Sequence, residues 1–112
     1  YRITTPDKVV VISGDTGFSP RLAEFAKGAD ILVHEVFSEK SIEKSRHSAE
    51  YHRSFHTSPK ELAEVARRAK PGLLVLYHQL FWGVSDADLI QQVRDGGYDG
   101  AIVSARDLDV YS

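Results

Sequence analysis

The sequence of 112 residues contains no cysteine and no methionine, and it has a single tryptophan. The absence of cysteine excludes disulfides and thiolate zinc sites, so any metal site must use histidine and carboxylate ligands. Because methionine is absent, we expect this chain to be a piece of a longer protein. No apolar run approaches the roughly 18 residues of a membrane-spanning helix, and we expect no membrane partner.

Charge of neither sign dominates the composition. The formal net charge is −2 at pH 7 and 42% of the residues are hydrophobic, which fits a single globular domain over residues 1–112. Residues 39–70 carry eight Lys and Arg against five Glu, and they include three of the five histidines. This basic stretch suits a local anionic ligand, but the net charge of the chain gives no support to a nucleic-acid partner.

Three apolar runs lead into polar residues that can carry chemistry. Such runs are typical of buried strands, and α/β proteins bind ligands at the carboxyl ends of these strands. The runs and the residues that follow them are Val9–Ile12 before Asp15, Ile31–Val33 before His34 and Glu35, and Leu73–Tyr77 before His78. If the strands are neighbours in one sheet, Asp15, His78 and one of His34 and Glu35 meet at one edge, because consecutive side chains point to opposite faces. The sequence therefore predicts a metal or acid–base site at this edge.

Helix signals alternate with the apolar runs. Ser19, Ser58 and Ser85 are each suited to the N-cap of a helix, and proline follows the first two at the first helical position. The alternation of strands and helices predicts an α/β layered fold. In the first helix we expect a buried stripe and a left-handed glycine cap, formed by Leu22, Phe25, Ala26 and Gly28.

Several short elements complete the expected fold. We expect Tyr1–Thr4 to pair with the Val9–Ile12 strand in a hairpin. Residues 38–54 and 79–84 are expected to form loops, with His47 and His52 exposed in the first of them. Ala101–Val103 and Leu108–Tyr111 are expected to form two short closing strands.

Two further residues have neighbours that suggest chemistry. His56 directly precedes the helix that Ser58 caps, where free N–H groups and the positive end of the helix dipole favour an anionic group. Glu35 is flanked by apolar residues, and a carboxylate in such a strand is costly unless it is paired or protonated, so it is a candidate partner for a histidine. Phe81 and Trp82 either line a substrate pocket, cover the core or contact a partner.

The same residues also have interpretations without catalysis. Asp15 suits a turn in which its side chain bonds its own backbone. The alternative hypothesis is therefore a non-enzymatic α/β interaction module that self-associates through its sheet face. A receiver-like phosphate-handling domain is disfavoured, because such a site needs acidic neighbours near the first strand and a lysine near the last.

Taken together, four segments resemble the metallo-β-lactamase-fold hydrolases, especially the branch close to the tRNA-processing ribonuclease Z. Ser13–Thr16 is similar to the GDT segment of that family, and Leu32–Phe37 to its HEAT segment. Phe55–Ser58 is similar to its HST segment, and Leu76–His78 to the strand end that supplies the last zinc ligand. The four segments occur in the family's order and spacing, and the resemblance covers nearly the whole chain.

The resemblance implies a role for each matched residue. Asp15 would bridge two zinc ions and His78 would ligate one of them. His56 would contact the scissile group or protonate the leaving group, and Glu35 would orient His56. The reaction would be hydrolysis of an ester, phosphodiester, lactone or amide by a metal-bound hydroxide.

The resemblance also implies an architecture. The family fold is a four-layer αββα sandwich, and this chain resembles its C-terminal half: one mixed sheet with helices on one face. The family's HxHxDH zinc signature belongs to the N-terminal half and does not occur in this sequence. Half of a sandwich exposes an apolar sheet face, so we expect it to pair with an N-terminal half or with a second copy of itself.

We predict that the isolated chain binds zinc weakly and does not catalyse hydrolysis. Asp15 and His78 are too few ligands, since catalytic zinc normally takes about three protein ligands. Metal analysis and hydrolysis assays on the same pure sample measure this. Tight stoichiometric zinc at neutral pH together with steady hydrolysis would contradict the prediction.

Overall fold

The computed structural model of the chain describes residues 1–39, 55–81 and 83–111. Within these residues the chain forms five strands and three helices. In chain order they are β1 (Arg2–Thr4), β2 (Val9–Ile12), α1 (Pro20–Phe25), β3 (Ile31–Phe37), α2 (Pro59–Ala69), β4 (Leu73–Leu80), α3 (Asp86–Asp95) and β5 (Ile102–Ser104).

The strands form a single mixed sheet in the order β1-β2-β3-β4-β5. β1 runs antiparallel to β2, and the other neighbouring strands run parallel. Val10 pairs with Ile31, and Ile31 pairs with Leu73, so the three predicted strands are neighbours. The predicted hairpin and the predicted adjacency of the three apolar runs are confirmed.

Serine caps begin all three helices, as the sequence predicts. The hydroxyl oxygens of Ser19, Ser58 and Ser85 accept hydrogen bonds from backbone N–H groups of the first turn. In α2 and α3 the third helical residue, Glu61 or Asp88, also bonds back to the cap, which completes a capping box. The local sequence therefore fixes where each helix starts.

The hydrophobic core lies between the helices and one face of the sheet. Leu32, Leu74 and Leu76 point into it from the central strands, where alternate side chains share a face. Buried side chains of all three helices join the same core: Ala23 from α1, Leu62, Ala63, Val65, Ala66 and Ala69 from α2, and Leu89 and Val93 from α3. The predicted arrangement of helices on one face of a mixed sheet is confirmed.

The opposite face of the sheet is apolar and half-exposed. Its central row crosses the four parallel strands in register, through Ile12, Val33, Val75 and Val103. All of these except Val75 keep part of their surface accessible. This is the face that the resemblance assigns to the centre of a sandwich.

The structure corrects two expectations about the later part of the chain. β4 continues to Leu80, so Gln79 belongs to a strand and not to a loop, because β3 extends to Phe37 and pairs with it. Residues 108–111 do not form a strand. Instead, the Asp109 carboxylate accepts a hydrogen bond from the Arg106 N–H, and Leu108 adopts a φ of 70°, so the chain turns there.

The first helix also differs from the expectation. α1 has only six residues, and Phe25 is 47% exposed while Ala23 takes the buried position. Ala26 caps the helix with a right-handed conformation, and Gly28 adopts its positive φ of 75° two residues later. The prediction that His47 and His52 are exposed lies outside the described residues.

Candidate active site

Four predicted site residues meet at the carboxyl ends of the central strands. Asp15 follows β2 after Gly14, whose φ of 66° turns the chain at the strand end. Glu35 lies in β3 and His78 in β4, and His56 lies on the short segment before α2. The parallel order of the strands brings these side chains to one edge of the sheet.

Asp15, His56 and His78 form a group that could hold a metal ion. One ligand atom of each residue lies within 4.8 Å of the others. His78 Nδ1 lies 3.4 Å from Asp15 Oδ1, and the His56 and His78 rings stack with centroids 5.7 Å apart. Two ligands of one tetrahedral zinc ion, with bonds of about 2.0–2.1 Å, lie about 3.4 Å apart. Two imidazoles and a carboxylate also match the ligand preference of zinc, so the residues fit such an ion.

A β-bulge brings His78 to this group. Tyr77 pairs with Glu35 and Gln79 pairs with Val36, so His78 is the extra residue on β4. His78 has a φ of 45°, a left-handed conformation that costs a non-glycine residue on the order of 1–3 kcal/mol. Regular alternation would place His78 on the helix side with Leu76, and the bulge changes the direction of its side chain.

The Glu35 carboxylate is fully buried and joins two loops. Its Oε1 accepts hydrogen bonds from the N–H groups of Thr16, at 3.2 Å, and Thr57, at 2.9 Å. The Thr57 hydroxyl donates to the Thr16 carbonyl oxygen at 2.7 Å, which links the same loops a second time. Oε2 lies 3.5 Å from His56 Nδ1. Glu35 therefore joins the loop that carries Asp15 to the segment that carries His56, and its carboxylate faces the His56 ring. Its role as the partner that orients His56 stays a prediction.

The pKa of Glu35 is far from its ordinary value. Burial raises the pKa of its carboxyl from 4.5 to about 7. The hydrogen bonds from Thr16 and Thr57 oppose this increase, and the negative charge of Asp15 adds to it. Near neutral pH the carboxyl is therefore able to exchange a proton.

His34 lies on the other face of β3, as the alternation predicts. It is 1% exposed, and its Nδ1 lies 2.7 Å from the Glu35 carbonyl oxygen, which can only accept a hydrogen bond. Burial lowers the pKa of His34 to about 4, so this histidine stays neutral at physiological pH. His34 is thus excluded from the metal group and supports the backbone of Glu35.

Of the two predicted pocket aromatics, the structure describes one. Phe81 is half-buried and packs against the hydrophobic core. Trp82 lies outside the described residues. A substrate contact by either residue stays a prediction.

The backbone N–H groups of Thr16 and Thr57 are a part of the site that the sequence does not predict. Every residue except proline has a backbone N–H group, so the residue type does not show which of these groups contribute to a site. Gln79 was also missed, and its position directly after His78 is the one local signal, since a second polar residue interrupts the apolar strand.

Comparison with known sequences finds ribonucleases. Ribonuclease Z of Limosilactobacillus fermentum is 34% identical over 107 residues, which are 94% of this chain and 32% of that protein. Ribonuclease Z of Haloarcula marismortui is 33% identical over 104 residues, 91% of this chain and 31% of that protein. Ribonuclease BN of an Enterobacter species is 38% identical over 73 residues, 65% of this chain and 22% of that protein. The chain thus spans about a third or less of the length of these relatives, and no protein-family model matches it.

Comparison with solved structures finds the same fold. The metallo-β-lactamase-fold protein YhfI from Bacillus subtilis superposes with a TM-score of 0.80 at 21% sequence identity. The match covers 99% of this chain and 42% of that protein. The fold that the resemblance implies is therefore confirmed.

We predict that Glu35 and His34 oppose each other in the pH dependence of stability. Folding raises the pKa of Glu35, so its contribution to stability falls as pH rises from about 4.5 to 7. Folding lowers the pKa of His34, so its contribution rises between about pH 4 and 6.5. Between about pH 4.5 and 6.5 the two slopes cancel.

Chemical denaturation of two variants at several pH values separates the slopes. Relative to the wild type, Glu35→Gln makes the free energy of unfolding increase by about 1.4 kcal/mol per pH unit in this window, because only the His34 slope remains. His34→Asn, which keeps an N–H donor, makes it decrease by about the same amount. Parallel curves for both variants and the wild type would contradict the prediction.

Proposed function

We propose that this chain, a metallo-β-lactamase-fold protein of the ribonuclease Z-like branch, is the C-terminal half of a metal-dependent hydrolase. The observation that carries the proposal is the convergence of Asp15, His56 and His78 at one edge of the sheet. The resemblance assigns zinc binding to this edge. The metal, the reaction and the N-terminal half are parts of the proposal.

In this proposal Asp15 and His78 hold zinc. Both side chains are accessible, with 59% and 46% of their surface exposed, so an ion and further ligands from an N-terminal half have room to bind. The resemblance implies two zinc ions in the intact enzyme, and Asp15 and His78 would be among the residues that hold them. Bound zinc supplies Lewis acidity and lowers the pKa of a bound water to about 7.

His56 and Glu35 handle protons. His56 Nδ1 faces the Glu35 carboxylate, so Nε2, on the other side of the ring, is directed away from it. A carboxylate beside Nδ1 fixes the ring orientation and stabilises the protonated form. His56 then donates its Nε2 proton to the leaving group, in the manner of a general acid.

The proposed substrate class is a phosphodiester in RNA. The support is the ribonuclease Z and ribonuclease BN names of the relatives. That Phe81 and Trp82 contact the substrate stays part of the proposal.

The half-exposed sheet face is proposed to be covered by an N-terminal half in the intact protein. It presents Ile12 beside Val33, and Val103 two strands further along the same row. Monomers rarely leave such apolar surfaces open. In the isolated chain a second copy takes this place, because an identical face offers a self-complementary surface in a two-fold dimer.

Metal and catalytic roles are separable by substitution in the longest natural chain that carries these residues. We expect Asp15→Ala and His78→Ala to weaken zinc binding by at least about tenfold in calorimetric titration. We expect His56→Gln to keep the zinc affinity within about threefold and to lower kcat for a labelled RNA by about 10²–10⁴.

Asp99→Ala is the matched control, since Asp99 is an exposed carboxylate outside the metal group and should change neither quantity. Equal loss of zinc in His56→Gln and His78→Ala would make His56 a ligand and overturn the acid role. Unchanged zinc in Asp15→Ala and absent hydrolysis would favour the non-enzymatic module.

The oligomeric mass of the isolated chain tests the sheet face. Light scattering should show a dimer with little zinc, and Val33→Lys should convert it to a monomer by placing a charge on the face. Gln91→Lys places the same charge on exposed α3 and should leave the dimer intact. A monomeric wild type with stoichiometric zinc would show a complete domain and contradict the proposal.

A further inference from the structure

The Gln79 side chain reaches back over the bulge that contains His78. Its Nε2 lies within hydrogen-bond distance of three oxygen atoms: the carbonyl oxygens of Leu76, at 2.9 Å, and Ala105, at 2.8 Å, and Ser104 Oγ, at 3.0 Å. The two N–H groups of the amide are shared among these three acceptors. Two of these three partners are carbonyl oxygens, which only accept hydrogen bonds. The end of the Gln79 amide that faces them is therefore the NH₂ group. One side chain thus connects both sides of the bulge to β5.

The Leu76 carbonyl oxygen is held twice. It accepts the Gln79 amide and also the Ala105 N–H, at 2.8 Å. Ser104 in turn donates to the Asp86 carboxylate in the first turn of α3. The upstream side of the bulge is therefore fixed to β5, and β5 is fixed to the start of a helix.

His78 lies between these fixed points, in a conformation that needs support. A non-glycine residue keeps a φ of 45° only where the surrounding structure determines it. A regular strand would direct residue 78 toward the helices, away from Asp15. The hydrogen bonds of Gln79 close the segment from Leu76 to Gln79 into a loop that leaves His78 turned outward.

We propose that Gln79 is a positioning residue that fixes the bulge and thereby holds His78 Nδ1 against Asp15. This role rests on the proposed binding of metal by His78, but its structural part can be measured without metal. The Gln79 amide nitrogen is engaged with oxygen atoms of Leu76, Ser104 and Ala105. Its effect on the metal runs entirely through the backbone of His78.

The test compares Gln79→Met with the wild type by NMR. Met has a similar length and lacks the donor. A positive φ produces a strong intraresidue amide–Hα Overhauser effect, and we expect Gln79→Met to lose this signal at His78 in the metal-free chain. Zinc titration of the His78 ring resonances should then show affinity lower by about tenfold or more, as in His78→Ala.

Leu74→Val is the control for general destabilisation, since it truncates a fully buried residue of the same strand away from the bulge. It should lower the melting temperature and keep both the Overhauser signal and the zinc affinity. Persistence of the signal and the affinity in Gln79→Met would overturn the proposal. Loss of the signal in Gln79→Met with no zinc binding by the wild type would support the positioning of the backbone and refute the metal site.

Gln79→Asn provides a second variant should Gln79→Met fail to fold. It keeps the amide and shortens the side chain by one carbon, so the nitrogen no longer reaches both the Leu76 and the Ala105 carbonyl oxygens. We expect a weaker signal at His78 and a zinc affinity reduced by about tenfold. An unchanged signal and affinity in Gln79→Asn would overturn the proposal.

Discussion

The burial of the Glu35 carboxylate is the constraint on which the rest of the site depends. A buried charge is tolerated only when hydrogen-bond donors surround it, and here the donors are the N–H groups of Thr16 and Thr57. Thr16 and Thr57 lie in two different loops and are 41 residues apart in sequence. One side chain therefore sets the position of the Asp15 loop and of the segment carrying His56. The cost of burial appears as the raised pKa of this carboxyl.

A second unfavourable feature lies next to the first. His78 has a left-handed backbone conformation within a strand, and Glu35 is a carboxyl in an apolar strand. His78 belongs to the candidate metal group, and Glu35 lies against His56 of the same group. Lys70 and Leu108 also have a positive φ, but they lie at a helix end and in a turn, where left-handed residues are common, whereas His78 lies in a strand. Departures from local rules that converge on one place are expected at functional sites. This convergence argues against Asp15 being a mere turn residue.

Sequence patterns predict the parts of this structure that depend on local chemistry. Caps at Ser58 and Ser85, the three central strands and the burial of Glu35 all follow from neighbouring residues. The bulge at His78 does not follow from neighbouring residues. It depends on how β4 pairs with β3 and β5, and the residue pattern of one strand does not show how its partner strand is aligned. The turn closed by Asp109 was not predicted for a similar reason. Leu108–Tyr111 alternates in polarity like a strand, but the Asp109 side chain accepts a hydrogen bond from the nearby Arg106 N–H.

The open sheet face and the candidate metal group belong to the same sheet. The ligands lie at the carboxyl edge of the sheet, so whatever covers the face also ends beside Asp15 and His78. A second copy can cover the apolar row that contains Val33. Its own Asp15 and His78, however, already belong to the group at the edge of its own sheet. A different half can bring new ligands to the same edge. Covering the face and completing the metal site are thus separate requirements.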